Sequence, residues 1–541
     1  MSYQVRRNRS GYDFSKVALP PRPKTNLFDL GHNHFTSLNC DYMYPILRMQ
    51  VIPGDYIKAS SSSVIRMASP SVHPFYGRFD VSKVWFWCPY RCVWPHFDNF
   101  LGAVDDPLDP NETTNYFIPQ LKIPEGGFAP KSIFDYANAP VLTNPIRHIS
   151  ALPYRIMNKF YNEYVKSDFL QSPLEVPKDD GPDDYSLYNL YKRTRPKDLF
   201  STCTPEPQAG SAVQIPIGDE APVVFGSNLI GTDNSPLDQD AVWAGDVNNS
   251  ALGYLSGTGT WTPTPNASSG SPTVNNLYPL NVKLNEAVSA TVPALMLSIQ
   301  MQRMAELLNR TGNRINEIYN ANFGISPSDG RLQRCELLGF SRSSTSAQQI
   351  IQSSEGTSQE PLGSISGYLV HSGVYKGFSK LFDEFGELIC MVNIQSTPVY
   401  YNQLMVHDSL FTKDDFFWPL YQHISDAPVY NDALFATGNA EHDGAAFGYN
   451  ERYAWLKTLN DYVTGILRPN VPNNISTWVL TQEWSTSNPP ALNASFMESS
   501  TPLDNVIAIP SEDQFICAFH FSIRANRPIS LYSNPMTGTH I

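Results

Sequence analysis

This 541-residue chain lacks the short spacings that mark common catalysts. It has no Gly-x-x-x-x-Gly-Lys-Ser/Thr phosphate loop, no His-Glu-x-x-His and no Gly-x-Ser-x-Gly elbow. That removes the sequence basis for nucleotide hydrolysis, zinc proteolysis and serine hydrolysis, so neither an enzyme nor a resident cofactor or metal is expected. No apolar run approaches the ~18 residues that span a bilayer. The N-terminus lacks the apolar core of a secretion signal. The seven cysteines are odd in number and irregularly spaced; only Cys88 and Cys92 are close, and no second pair completes a zinc site. Free, buried thiols in a reducing compartment are expected. In that setting Asn-x-Ser/Thr triplets such as those at Asn266 and Asn493 are not read as glycosylation sites.

Charge is scarce as well, at 16% of residues. From Thr204 to Val282 no Lys, Arg or His occurs, while Glu206, Asp219, Glu220, Asp233, Asp238, Asp240 and Asp246 are all acidic. That stretch is crowded with Pro, Gly, Ser, Thr and Asn, a composition too poor in apolar residues to build its own core. It reads as an elaborated acidic surface insertion, and long loops of this kind usually carry function.

The residues that are present point to a β-rich scaffold. Aromatics reach 12% and prolines number 44, which suits strands, long loops and broad contacts with neighbours. The first 25 residues hold Arg6, Arg7, Arg9, Lys16, Arg22 and Lys24 against the single acid Asp13. This flexible basic arm reads either as a solvated tail or as a segment whose Arg6, Arg7 and Arg9 touch nucleic acid phosphates. Strands are expected along Tyr44–Ile57, with a Pro53-Gly54-Asp55 turn, and along Ser63–Ala68. Lys83–Trp94 should be buried on both faces and be interrupted at Pro89. Further strands are expected at Glu387–Gln395, Thr477–Trp484 and Phe515–Arg524. Helical spacing marks Ala151–Phe169, Thr291–Leu308 with a stop at Gly312, and Asn313–Asn322 ending at Gly324. The Met-rich stripe of the second helix is expected to pack against a sheet. His32-Asn-His34 reads as polar surface. Asp105-Asp106, Asp179-Asp180, Asp183-Asp184 and Asp414-Asp415 read as solvated loop charge, because the calcium-loop spacing is missing. Strands early, a helix pair in the middle and strands late suggest an antiparallel sandwich or barrel with long insertions.

Five blocks in order then resemble a known family. They are Phe28–Asn33 followed by Val51–Asp55; Val84–Trp94; Phe323–Arg334 with Glu336–Gly339; Phe447–Tyr453; and Pro490–Phe496. Together they are similar to the major capsid proteins of microviruses, gokushovirus type. Cys335 stands where that family usually has Pro, and the insertion is unmatched. The resemblance implies a mainly β fold, a viral jelly-roll β-barrel with long inter-strand insertions containing a few helices. The corresponding segments are a basic arm (1–26), the first part of the barrel (27–203), the acidic insertion (204–282) and a helical segment with the rest of the barrel (283–541). It implies self-assembly into a T=1 icosahedral shell around a circular single-stranded DNA genome, in a virion assembled in the host cytoplasm. The implied partners are further copies of the chain, the DNA, a small basic DNA-binding virion protein, a pilot or minor virion protein, and a host surface receptor. The insertion would form three-fold protrusions that contact the host, with Trp243, Tyr254 and Trp261 as candidate contact residues. Those same aromatics in a Gly/Thr-rich loop leave open a second reading, a lectin-like or carbohydrate-active jelly roll that stacks on sugars.

Overall fold

The computed structural model describes residues 24–103, 116–143, 145, 147–210, 213, 292–312, 314–351 and 365–532, with short strands at 223–225, 243–244, 253–256, 260–262 and 280–282. By its contacts the chain divides into two compact units, Met1–Pro207 with Thr311–Ile541, and Gln208–Arg310.

The larger unit is built on nine strands: β1 (Asn26–Asp29), β2 (His32–Leu38), β3 (Tyr44–Val51), β4 (Tyr56–Met67), β5 (Arg78–Pro89), β6 (Glu336–Ser346), β7 (Val370–Leu381), β8 (Gly386–Ser396) and β9 (Phe515–Arg527). They form two antiparallel sheets. The first runs β1-β9-β4-β7, with β2 also paired to β9, and the second runs β6-β5-β8-β3. Most successive strands switch sheet, while β5 and β6 are neighbours in the second. This order is that of a jelly roll, laid out here as a two-sheet sandwich.

Alternation decides which side chains fill the space between the sheets. Along β9, Phe515, Cys517, Phe519, Phe521, Ile523 and Ala525 are buried, and the residues between them are exposed or half-buried. They meet Phe79, Val81, Trp85 and Trp87 of β5 and Leu388, Cys390, Val392 and Ile394 of β8 in one core. Trp85 packs edge-on against Phe378 and Phe521, at 5.7 and 5.8 Å. One inward position of β5 breaks the apolar pattern. Lys83 is fully buried, donates to Ser61 Oγ at 3.2 Å and lies over the rings of Tyr375 and Phe519, at 3.9 and 4.9 Å. Burial, only slightly offset by the nearby Cys390 and Cys517, depresses its amine to about 8.

The opposite face of the second sheet is covered too. Val84, Phe86 and Cys88 of β5 and Ile389 and Met391 of β8 enter a second core with helix α1 (Leu152–Phe160). Phe86 stacks on Phe160 at 3.8 Å. β5 is therefore buried on both faces, as its aromatic density predicts, and it ends at Pro89, which has no N–H for the ladder. In the same layer Arg155 is fully enclosed and makes a bidentate pair with Asp183, at 2.8 and 2.5 Å. Tyr188 donates to the same carboxylate at 2.5 Å. The reading of Asp183 as solvated charge is thus wrong: a burial-tolerant guanidinium 28 residues upstream takes it inside. Asp179 and Asp180 stay at the surface, Asp180 accepting from the Trp94 indole at 2.7 Å.

A third core lies among the later loops. Phe200, Tyr400, Tyr401, Leu434, Phe435, Phe447, Phe496 and Met497 pack together, with Trp484 against them. Thr477–Trp484 belongs to this region and is not the expected strand. Its start is a 3-10 turn (Ser476–Trp478), and its only ladder contacts among the described residues are single bridges, Val479 to Tyr76 and Thr481 to Val399. Its β propensity has no neighbouring strand to pair with.

Helix α2 (Val292–Thr311) and helix α3 (Ile315–Phe323) fall where expected. Gly312 and Gly324 end them with φ of 100° and 67°, the left-handed conformation that glycine adopts without a Cβ clash. The Met-rich stripe of α2 does not pack as expected: Val292, Leu295, Met296, Ile299 and Met304 are exposed. Six of the seven cysteines are buried, Cys92 is half-buried, and all are free.

Candidate functional site

The outward face of the first sheet is open to solvent. The same period of two that sends Ile57, Ala59, Ile65 and Met67 of β4 inward turns Tyr56, Lys58, Val64 and Arg66 outward. β9 contributes Ile516, His520 and Arg524, β7 contributes Val374 and Lys376, and β2 contributes Phe35, all exposed. The register sets Lys58 directly opposite Arg524. Like charges so placed disfavour folding, and a bound anion relieves them. Lys58, Arg66, Lys376 and Arg524 have no ion-pair partner among the described residues. One carboxylate, Asp29, lies on the other flank of Arg524, where it accepts from the Gly31 N–H at 2.9 Å. Exposed cations interleaved with Tyr56 and Phe35 make a surface suited to phosphates and unstacked bases. Reading the sequence for charge clusters missed these residues, because they are dispersed over three strands; the alternation within Tyr56–Met67 is the signal that could have found the β4 pair.

A cleft of about 790 Å³ opens beside β3, lined among others by His34, Arg48, Tyr90, Phe100 and Glu387. Arg48 donates to Glu387 at 3.0 Å, and Tyr90 donates to the other carboxylate oxygen at 2.6 Å. Burial, reinforced by the Glu387 charge, pushes the Tyr90 hydroxyl far above its usual range. Arg48 and Glu387 thus satisfy one another. His34 Nδ1 contacts the Ile46 carbonyl at 2.8 Å, and His32 Nδ1 contacts that of Leu30 at 3.0 Å, so these histidines serve the backbone.

Arg6, Arg7, Arg9 and the pair Asp105-Asp106 lie outside the described residues. In the unit Gln208–Arg310, strands Trp243–Ala244, Gly253–Ser256 and Thr260–Thr262 form a three-stranded antiparallel sheet. Tyr254 is opposite Trp243, and Trp261 is opposite Leu255. The backbone thus brings the three candidate aromatics into one small sheet. Strands Val223–Phe225 and Leu280–Val282 pair separately. The insertion therefore contains regular strands, which its turn-rich composition did not suggest.

A two-sheet jelly roll with a long insertion between β5 and β6 is an architecture that viral shell subunits share with lectins. The capsid protein (F protein) family matches residues 21–537, and the chain belongs to that family. It is 30% identical to capsid protein VP1 of Chlamydia phage 1, over 94% of this chain and 95% of the relative. It is 32% identical to capsid protein VP1 of Bdellovibrio phage phiMH2K over 92% of each. Spiroplasma virus 4 has a capsid protein VP1 that is 25% identical over 98% of each chain. The chain is thus a microvirus major capsid protein of gokushovirus type, a structural component of a bacteriophage virion, as the five sequence blocks implied.

Proposed function

We propose that copies of this chain close into a T=1 icosahedral shell around a circular single-stranded DNA genome, and that the insertion 204–282 contacts the host surface. The observation that carries the genome part is the open face of the first sheet. Its four cations, set among aromatic side chains and without ion-pair partners among the described residues, suit sequence-independent binding of a flexible phosphate backbone. The arm residues Arg6, Arg7 and Arg9 would add to it. Closed rotational contacts between copies would stop growth at a finite particle. The subunit's net charge of −13 leaves most genome neutralisation to other cations, such as a small basic virion protein. A pilot or minor virion protein and a host receptor complete the proposed partners, with assembly in the host cytoplasm. The work of the subunit in this reading is mechanical, not catalytic.

Electron microscopy of the expressed protein tests the reading. Closed particles of one diameter that protect single-stranded DNA from nuclease are expected; a chain that stays monomeric under every assembly condition would refute it. Deleting 204–282 should leave assembly intact and abolish attachment to host cells. A glycan array with and without that segment distinguishes a protein receptor from a sugar. Sugar binding through Trp243, Tyr254 or Trp261 by a chain that never forms particles would instead establish the lectin-like reading.

A further inference from the structure

A second surface stands out for the opposite chemistry. Every residue from Phe411 to Leu420 is exposed, and this run holds Phe411, Phe416, Phe417, Trp418 and Leu420. Phe411 is 95% exposed and Leu420 83%. Disorder does not account for this, because the segment is tied in place by polar bonds. The Asp415 carboxylate accepts from the Phe411 and Thr412 N–H groups at 3.0 and 2.6 Å. The Trp418 indole donates to the Lys413 carbonyl at 2.9 Å. Tyr453 donates to the Phe416 carbonyl at 3.1 Å, and its ring meets Phe417 edge-on at 5.1 Å. The bonds that could have folded these rings inward instead hold them out.

The size of the patch decides what it fits. Aromatic side chains present ~150–250 Å² each. At 95, 56, 46 and 45% exposure, the four aromatics alone offer roughly 500 Å². Leu420 carries the patch past the few hundred Å² usual for a monomer and toward the ~800 Å² that each partner gives to a stable interface. The only charges in the run are Lys413, Asp414 and Asp415, so it suits neither DNA nor an anionic membrane.

We infer that the segment Phe411–Leu420 is a copy-to-copy contact of the shell: it docks on a second copy of this chain. Rings of this kind, well packed and fully desolvated, are the residue types that dominate interface energetics. The inference rests on the shell reading above, and its test separates the two. Wild-type protein and the triple variant Phe411→Ser, Phe416→Ser, Leu420→Ser are compared by sedimentation and electron microscopy, with near-ultraviolet circular dichroism as the check on folding. The expected result is wild-type particles and variant subunits that are folded but unassembled, or that need at least tenfold more protein to assemble. Variant particles forming at the wild-type concentration would overturn the inference. So would normal particles that merely lose host attachment. If wild type itself never assembles, the shell reading fails first. Hydrogen exchange on wild type needs no variant: amides of 409–424 should be protected in particles relative to free subunits, and equal exchange in both states would also overturn it.

Discussion

Replacing Lys83 with Met should stabilise the unassembled subunit near neutral pH. The ammonium sits between the two sheets with one hydroxyl and two ring faces for company, and no carboxylate contacts it among the described residues. Its amine falls from 10.5 to about 8. Each tenfold change in proton affinity is about 1.4 kcal/mol, so the charged form costs the fold roughly 3 kcal/mol. The two ring contacts return about 0.5–2 kcal/mol. Methionine has a similar reach and no charge to desolvate, so a net gain of about 1–2 kcal/mol is expected at pH 7. The sign of the pH dependence follows from a folded-state value below the unfolded one. The penalty is fully present below pH about 8 and fades as the pH rises from there toward 10.5, where the unfolded chain also gives up its proton. Urea unfolding of both proteins at pH 7 and pH 10 reads this directly as a difference between them. A variant less stable than wild type at pH 7, or an advantage that does not shrink by pH 10, would refute the reasoning.

Asp183→Asn should destabilise the fold by about 3 kcal/mol, because it leaves the enclosed Arg155 guanidinium only the exposed Asp179 as counter-charge; urea midpoints measure it. Gly377→Ala should cost about 1–3 kcal/mol in the same assay, since a Cβ there would lie 1.9 Å from the Ala59 carbonyl oxygen at the β7 bulge. Replacing Lys58 and Arg524 with Ala should weaken oligo-dT binding by free subunits. It should also flatten the plot of log affinity against log salt by about 1.4, at roughly 0.7 for each phosphate no longer neutralised; an unchanged slope would move DNA binding to the arm.

The strands that carry the sandwich were readable because their side chains are constrained on both faces or on alternating ones. Lys83–Trp94 and Phe515–Arg524 announce themselves through β-branched and aromatic density. Thr477–Trp484 has the same local character and fails, since a strand exists only where another edge meets it. Pairings across long sequence distances were invisible: nothing near Asp183 signals Arg155, and nothing in Arg524 signals Lys58 until the register is known. The exposed rings at 411–420 look like any buried aromatic cluster in the sequence. Composition counts hydrophobic residues but does not say which side of the surface they occupy. The shell identity itself was legible from five ordered blocks, which is family information, whereas the open basic face came from geometry.

The pairing of β5 with β6 has a consequence for how such a protein can change. Glu336 sits across from Trp87, so the polypeptide departs from the sandwich and rejoins it almost at the same spot, however much sequence intervenes. Closing a longer excursion between fixed ends costs only about 0.6 kcal/mol for each doubling of its length. Surface segments of this excursion can therefore change in length at little cost while β5 and β6 keep their register, provided the part that packs over the second sheet is kept. The surface carried by that excursion can then vary without renegotiating the architecture beneath it.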